Sequence, residues 1–143
     1  MASTLPEAGY SGTPLVRKLG IGEDDEVLVV GASEGFTDRL AAQLDGEAVF
    51  HTELDAAPLF DVIVAFTIWR EEFEAGLDRF RAKMAPACGL WIAWPKRSSK
   101  VPTDMTEHVI REVALPTGLV DNKVCAIDEI WTGLRLVIRR ELR

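Results

Sequence analysis

The sequence has little cysteine, little histidine, few positive charges for its acidic content, and no long apolar run. Cys88 and Cys125 are its two cysteines, and His51 and His108 its two histidines. They form no C-x-x-C pair and make a poor ligand set, so no metal site is expected. The longest apolar stretches, near Val27–Ala32 and Val62–Phe66, are far too short to span a bilayer. The first thirteen residues show neither the basic nor the apolar region of a signal peptide. The expectation is a cytoplasmic protein with reduced thiols. Sixteen basic residues face twenty-three acidic ones, a net charge of −7. That is the wrong sign for a generic nucleic-acid or anionic-membrane binder, so neither partner is expected. There is no nucleophile elbow and no Walker loop.

What is present is one globular domain's worth of chain: 143 residues, 48% apolar and 27% charged. Residues 1–12, with Ser, Thr, Gly and Pro, read as a loose arm before a domain over 13–143. Thr13-Pro14 reads as an N-cap with proline in the first turn of a short helix that carries Leu15 and Leu19 on one face and closes at Gly20. Glu26 to Gly31 is a run of β-formers without alternation, as in a strand buried on both faces. Phe36 to Leu44 follows as a helix, then a short strand over Ala48–His51. Phe60 to Thr67 is a third strand. Arg70 to Met84 predicts a helix with the stripe Phe73, Leu77, Phe80, Met84, ended by Pro86 and Gly89. Leu90–Trp94 is a fourth buried strand, with Trp91 and Trp94 pointing to opposite faces.

After a polar loop over Pro95–Pro102, Asp104-x-x-Glu107 resembles a capping box for a helix with Met105, Val109 and Val113 on one face. Leu119–Ile127 and Trp131–Arg140 close the chain as an antiparallel hairpin. Alternation of strand and helix predicts a single α/β domain with a mostly parallel six-stranded sheet. The predicted order is 2-1-3-4-6-5, with the last strand antiparallel between the fourth and fifth. Ligands in such sheets sit outside the carboxyl ends of the strands where the order reverses, here between Val30-Gly31 and Phe66-Thr67.

Strand, glycine loop, helix and a closing antiparallel hairpin resemble the plan of the Rossmann-like S-adenosylmethionine methyltransferases. Val27-Leu-Val-Val-Gly31-Ala-Ser-Glu-Gly35 is similar to their first motif, V-L-D-x-G-x-G-x-G. Val29 stands where that motif has its acid, and Ser33 where it has its middle glycine. Longer blocks resemble a bacterial family catalogued as domain of unknown function 3052: Ser11-Gly-Thr-Pro-Leu, Trp94-Pro-Lys-Arg-Ser-Ser99 with Val101-Pro-Thr-Asp104, Arg111 to Pro116, and Leu119 to Cys125. That resemblance implies a hallmark segment at Trp94–Asp104 and carries no activity.

Two function classes follow. The first is a non-catalytic binding or regulatory module, for which no cofactor is expected. It would use the crevice and the basic loop Lys96, Arg97, Ser98, Ser99 and Lys100 to hold an unknown small molecule or protein. That loop leaves a central strand and runs toward a helix N-terminus, a setting that attracts anions. The alternative, implied by the methyltransferase resemblance, is a small S-adenosylmethionine-dependent methyltransferase. Its cofactor residues would be Gly31, Ser33, Gly35, Glu53 and Thr67, with Glu53 near the ribose. The linker from Thr52 to Leu59 has room for one helical turn and none for the extra elements of larger enzymes. The worn glycine motif, that short crossover and the missing Asn-Pro-Pro or Asp-Pro-Pro after the third strand favour the first class. His51, at the end of the second strand, is a candidate base. Trp69 is a candidate for the crevice wall. The Leu119–Ile127 edge strand is a candidate homodimer contact.

Overall fold

The computed structural model describes residues 12–143, so the arm expected over residues 1–12 lies, apart from Gly12, outside the described residues. Six strands form one sheet: β1 (Glu26–Val30), β2 (Val49–His51), β3 (Phe60–Phe66), β4 (Met84–Pro95), β5 (Leu119–Ala126) and β6 (Trp131–Ile138). Their order is β2-β1-β3-β4-β6-β5. β1 pairs in parallel with β2 and β3, and β3 with β4. β6 runs antiparallel between β4 and β5. Order and directions are those predicted from the apolar runs and the short closing hairpin.

Helices cover both faces, which is why the central strands read as unbroken apolar runs. α1 (Leu15–Lys18) and α2 (Phe36–Gln43) lie on one face. Their Val16, Leu19, Phe36 and Leu40 pack with Val27, Val64 and Trp91. α3 (Arg70–Ala82) and α4 (Glu107–Ala114) lie on the other. There Phe73, Leu77 and Ile110 pack with Leu28, Ile63, Ile92 and Leu134. Trp91 and Trp94 do point to opposite faces. The Trp91 indole N–H donates to the Leu19 carbonyl at 2.9 Å, which satisfies its one polar atom inside the core.

Three local expectations are corrected. The N-cap of α1 is Pro14 rather than Thr13. The α3 helix ends at Ala82, and Met84 opens β4, a strand that also contains Pro86 and Gly89. Met84 still joins Phe73 and Leu77 in one core, so the apolar spacing continued across a change of element. The α4 helix is capped by Thr106, whose Oγ1 accepts from the Val109 N–H at 3.1 Å, and not by Asp104. The two cysteines are free. Cys88 is buried, and burial pushes its thiol up to about 12.

Candidate functional site

The β1 strand delivers the chain to Gly31 at φ +78°, and Gly35 sits at φ +86° as the N-cap of α2. Both lie in the left-handed region that favours glycine. At Gly31 a side chain is also excluded by space: a Cβ would stand 2.9 Å from the Phe66 carbonyl oxygen. The expected crevice between β1 and β3 is therefore closed at this level. Phe66 seals it further, its ring edge-on to Phe36 and to Trp131 at 5.1 Å each.

The opening is on the β2 side. A cleft of about 240 Å³ is lined by residues 29–35, Thr37 and Thr52. A Cβ at Gly35 would meet only the tip of Arg39, at 3.7 Å, so the φ angle and not crowding selects glycine there. No side chain caps α2, whose first residues border the cleft. The positive end of the helix thus faces the opening.

The sequence-derived site residues divide. Gly31, Ser33 and Gly35 line the cleft; Glu53 and Thr67 do not. Glu53 is exposed one residue beyond the cleft wall, where it begins a single 3-10 turn over Leu54–Ala56. Thr67 is 6% exposed. Its backbone N–H donates to the Ala93 carbonyl at 2.8 Å, while its hydroxyl is the one buried side-chain polar atom without a partner among the described residues. Glu34, Thr37 and Thr52 were missed. Glu34 and Thr52 had a signal, since one lies inside the glycine loop and the other directly follows β2.

Neither histidine serves the cleft. His51 Nε2 lies 2.6 Å from Glu26 Oε1, and its ring meets Phe60 edge-on, so it reaches back along the sheet. His108 projects into solvent on α4.

A second region forms at the same sheet edge, beyond β3 and β4. Lys96 donates its N–H to the Ile130 carbonyl, and residues Arg97–Ser99 make a 3-10 turn that ends with Lys100 at φ +62°. The Ser99 hydroxyl is occupied locally: it donates to the Lys96 carbonyl and accepts from the Val101 N–H. Further on, the Thr103 hydroxyl donates to the Ile68 carbonyl, and Asp104 Oδ1 accepts from the Arg70 N–H at 2.7 Å. Asp104 thus serves the start of α3. Six residues, 101–106, separate the basic loop from α4, whose N-terminus Thr106 already caps. Lys96, Arg97 and Lys100 make no ion pair among the described residues. Trp69, between the two anchored residues, is 48% exposed. Arg70 pairs with Glu74 and with Glu112 at 2.8 Å each, and the hydrogen bonds to these two carboxylates raise its pKa further.

Solved structures share this arrangement of sheet and helices. One is an S-adenosylmethionine-dependent methyltransferase from Aquifex aeolicus, 17% identical, matched over 87% of this chain and 88% of that one, with a TM-score of 0.58. Another is the magnesium protoporphyrin IX methyltransferase of Synechocystis PCC 6803 with bound S-adenosylmethionine: 13% identity, 87% and 76% coverage, TM-score 0.62. The fold is that of the S-adenosylmethionine-dependent methyltransferases. Aeropyrum pernix fibrillarin, with natively bound S-adenosylmethionine, is similar as well: 15% identity, 87% and 72% coverage, TM-score 0.60. At these identities the likeness is one of methyltransferase fold. No family model matches the chain, and no curated protein does.

Proposed function

We propose that this protein is a small S-adenosylmethionine-dependent methyltransferase that binds its cofactor in the cleft at the carboxyl end of β1. The observation that carries this is the pair of glycines at positive φ, Gly31 and Gly35, bounding a cleft that the uncapped end of α2 faces. The cleft's lining suits the polar part of such a ligand. The missing Cβ at Gly35 leaves open space, and the backbone of residues 31–35 forms the floor. Thr37 and Thr52 supply hydroxyls at the wall. When bound, the cofactor supplies an electrophilic methyl group on a sulfonium. The chain's own part is to hold the ligand against the polar loop of residues 31–35. The sequence blocks at Trp94–Asp104 and Arg111–Pro116 support placing the protein in the bacterial family of domain of unknown function 3052.

A non-catalytic binding module is the second reading, and specific observations favour it. The cleft is smaller than the roughly 300–1,000 Å³ of most small-molecule sites. Val29 replaces the motif's acid, and Glu53 stands outside the cleft.

Thermal unfolding with S-adenosylmethionine or S-adenosylhomocysteine separates the two. At about a hundredfold over the dissociation constant a native-state site adds roughly 2.7 kcal/mol. The midpoint should then rise by several degrees. No shift across a concentration series would remove the cofactor and leave the module.

A further inference from the structure

We infer that the edge beside Trp69 and the Lys96–Lys100 loop binds a planar, anionic aromatic molecule, the class to which the methyl acceptor belongs. The assignment of that molecule as acceptor rests on the methyltransferase reading; the binding site itself does not.

Four observations carry it. First, Trp69 is 48% exposed, and among the described residues its indole has neither a ring contact nor a hydrogen-bond partner. Tryptophan normally buries its large apolar face and pairs its N–H. Second, this indole is not on a loose tether. The residues on either side of it are held by the same remote segment: Ile68 through the Thr103 hydroxyl, and Arg70 through the Asp104 carboxylate. The backbone that presents the ring is therefore fixed. Third, Lys96, Arg97 and Lys100 are cations without ion pairs among the described residues, in a chain of net charge −7 with acids enough to pair them. Fourth, the two features are neighbours by register. Phe66 pairs with Ala93, Trp69 and Lys96 lie just beyond the ends of those adjacent parallel strands, and Thr103, three residues after Lys100, is bonded to Ile68 beside Trp69.

The location fits a substrate. The cleft lies at the end of β1, Trp69 beyond β3 and the cations beyond β4, successive strands of one edge. Adjacent strands are about 4.8 Å apart, so the ends of β1 and β4, two spacings apart, are separated by about 10 Å. The Phe36–Phe66–Trp131 cluster closes the edge between β1 and β3, so a ring on Trp69 with its anionic group toward the lysines would meet a ligand in the cleft over that cluster and not through it. An exposed indole face favours a flat ring, and cations favour its carboxylate or phosphate.

The test uses the full chain and 2-naphthoate as probe, with 2-naphthol (flat, uncharged) and cyclohexanecarboxylate (charged, not flat) beside it. The chain has four tryptophans, so four indole N–H resonances report. That of Trp69 is assigned by its loss in Trp69→Phe. The expected result is that 2-naphthoate moves the Trp69 resonance, while both other probes bind roughly tenfold more weakly or worse. Trp69→Ala should weaken 2-naphthoate by about tenfold, and Trp69→Phe should restore most of the binding. The combined Lys96→Gln, Arg97→Gln, Lys100→Gln variant should abolish the preference for the anion. An unmoved Trp69 resonance at millimolar probe, or equal binding by Trp69→Ala, overturns the inference. A separate titration with S-adenosylhomocysteine, read at the Gly31 and Gly35 amides, decides the cofactor reading. Naphthoate binding without it supports the site and removes the acceptor role.

Discussion

The two candidate regions of the carboxyl edge are built by different means. The loop from Gly31 to Gly35 is shaped by backbone alone: two positive φ angles and one approach too close for a side chain. The segment from Lys96 to Asp104 is shaped by side chains that reach distant backbone, Thr103 to Ile68 and Asp104 to Arg70. A backbone-built site resists substitution at its glycines, through strain at both and through collision as well at Gly31. A tethered site loses its anchors one at a time, each worth about one hydrogen bond.

That contrast can be tested by substitution. Gly31→Ala should have the largest effect, about 3 kcal/mol of destabilisation, from a left-handed alanine plus overlap with the Phe66 carbonyl. Chemical denaturation measures it; a loss below 1 kcal/mol would mean that the loop yields and the contrast fails. Gly35→Ala should cost about 1.5 kcal/mol, because its φ is strained but its surroundings are open. If the cleft holds S-adenosylhomocysteine, titration calorimetry should show that variant binding it more weakly while still folded. Asp104→Ala should cost least, about 1 kcal/mol, as the loss of a helix N-terminal acceptor. It should also broaden the Trp69 indole resonance without touching the glycine loop. Equal disturbance of both regions would show that they are mechanically one.

The same contrast explains what could be read from the residues. Gly31 and Gly35 announce a turn because only glycine is at ease at those angles. The order of the sheet follows from continuous apolar runs and from the short Asp128–Ile130 connection, where Asp128 Oδ1 accepts from the N–H groups of both Ile130 and Trp131. Anchors over long sequence separations leave no period to detect. Asp104-x-x-Glu107 satisfied a local capping pattern, yet Asp104 acts 34 residues away on Arg70. Met84 kept the spacing of the α3 stripe and belonged to the next strand. The cleft opens toward β2 because the Phe66 ring lodges between Phe36 and Trp131, a packing choice that no single segment encodes.

The place of β6 carries a consequence for synthesis. β6 is the strand that pairs with both β4 and β5, so β5 joins the sheet only through it. On the ribosome β4 emerges well before β6, and its edge along Leu90–Trp94 stays unpaired until Trp131–Ile138 arrives. At about 5–20 residues per second that interval is several seconds. For that time an apolar strand edge is open to other chains. That edge closes only when β6 pairs with it.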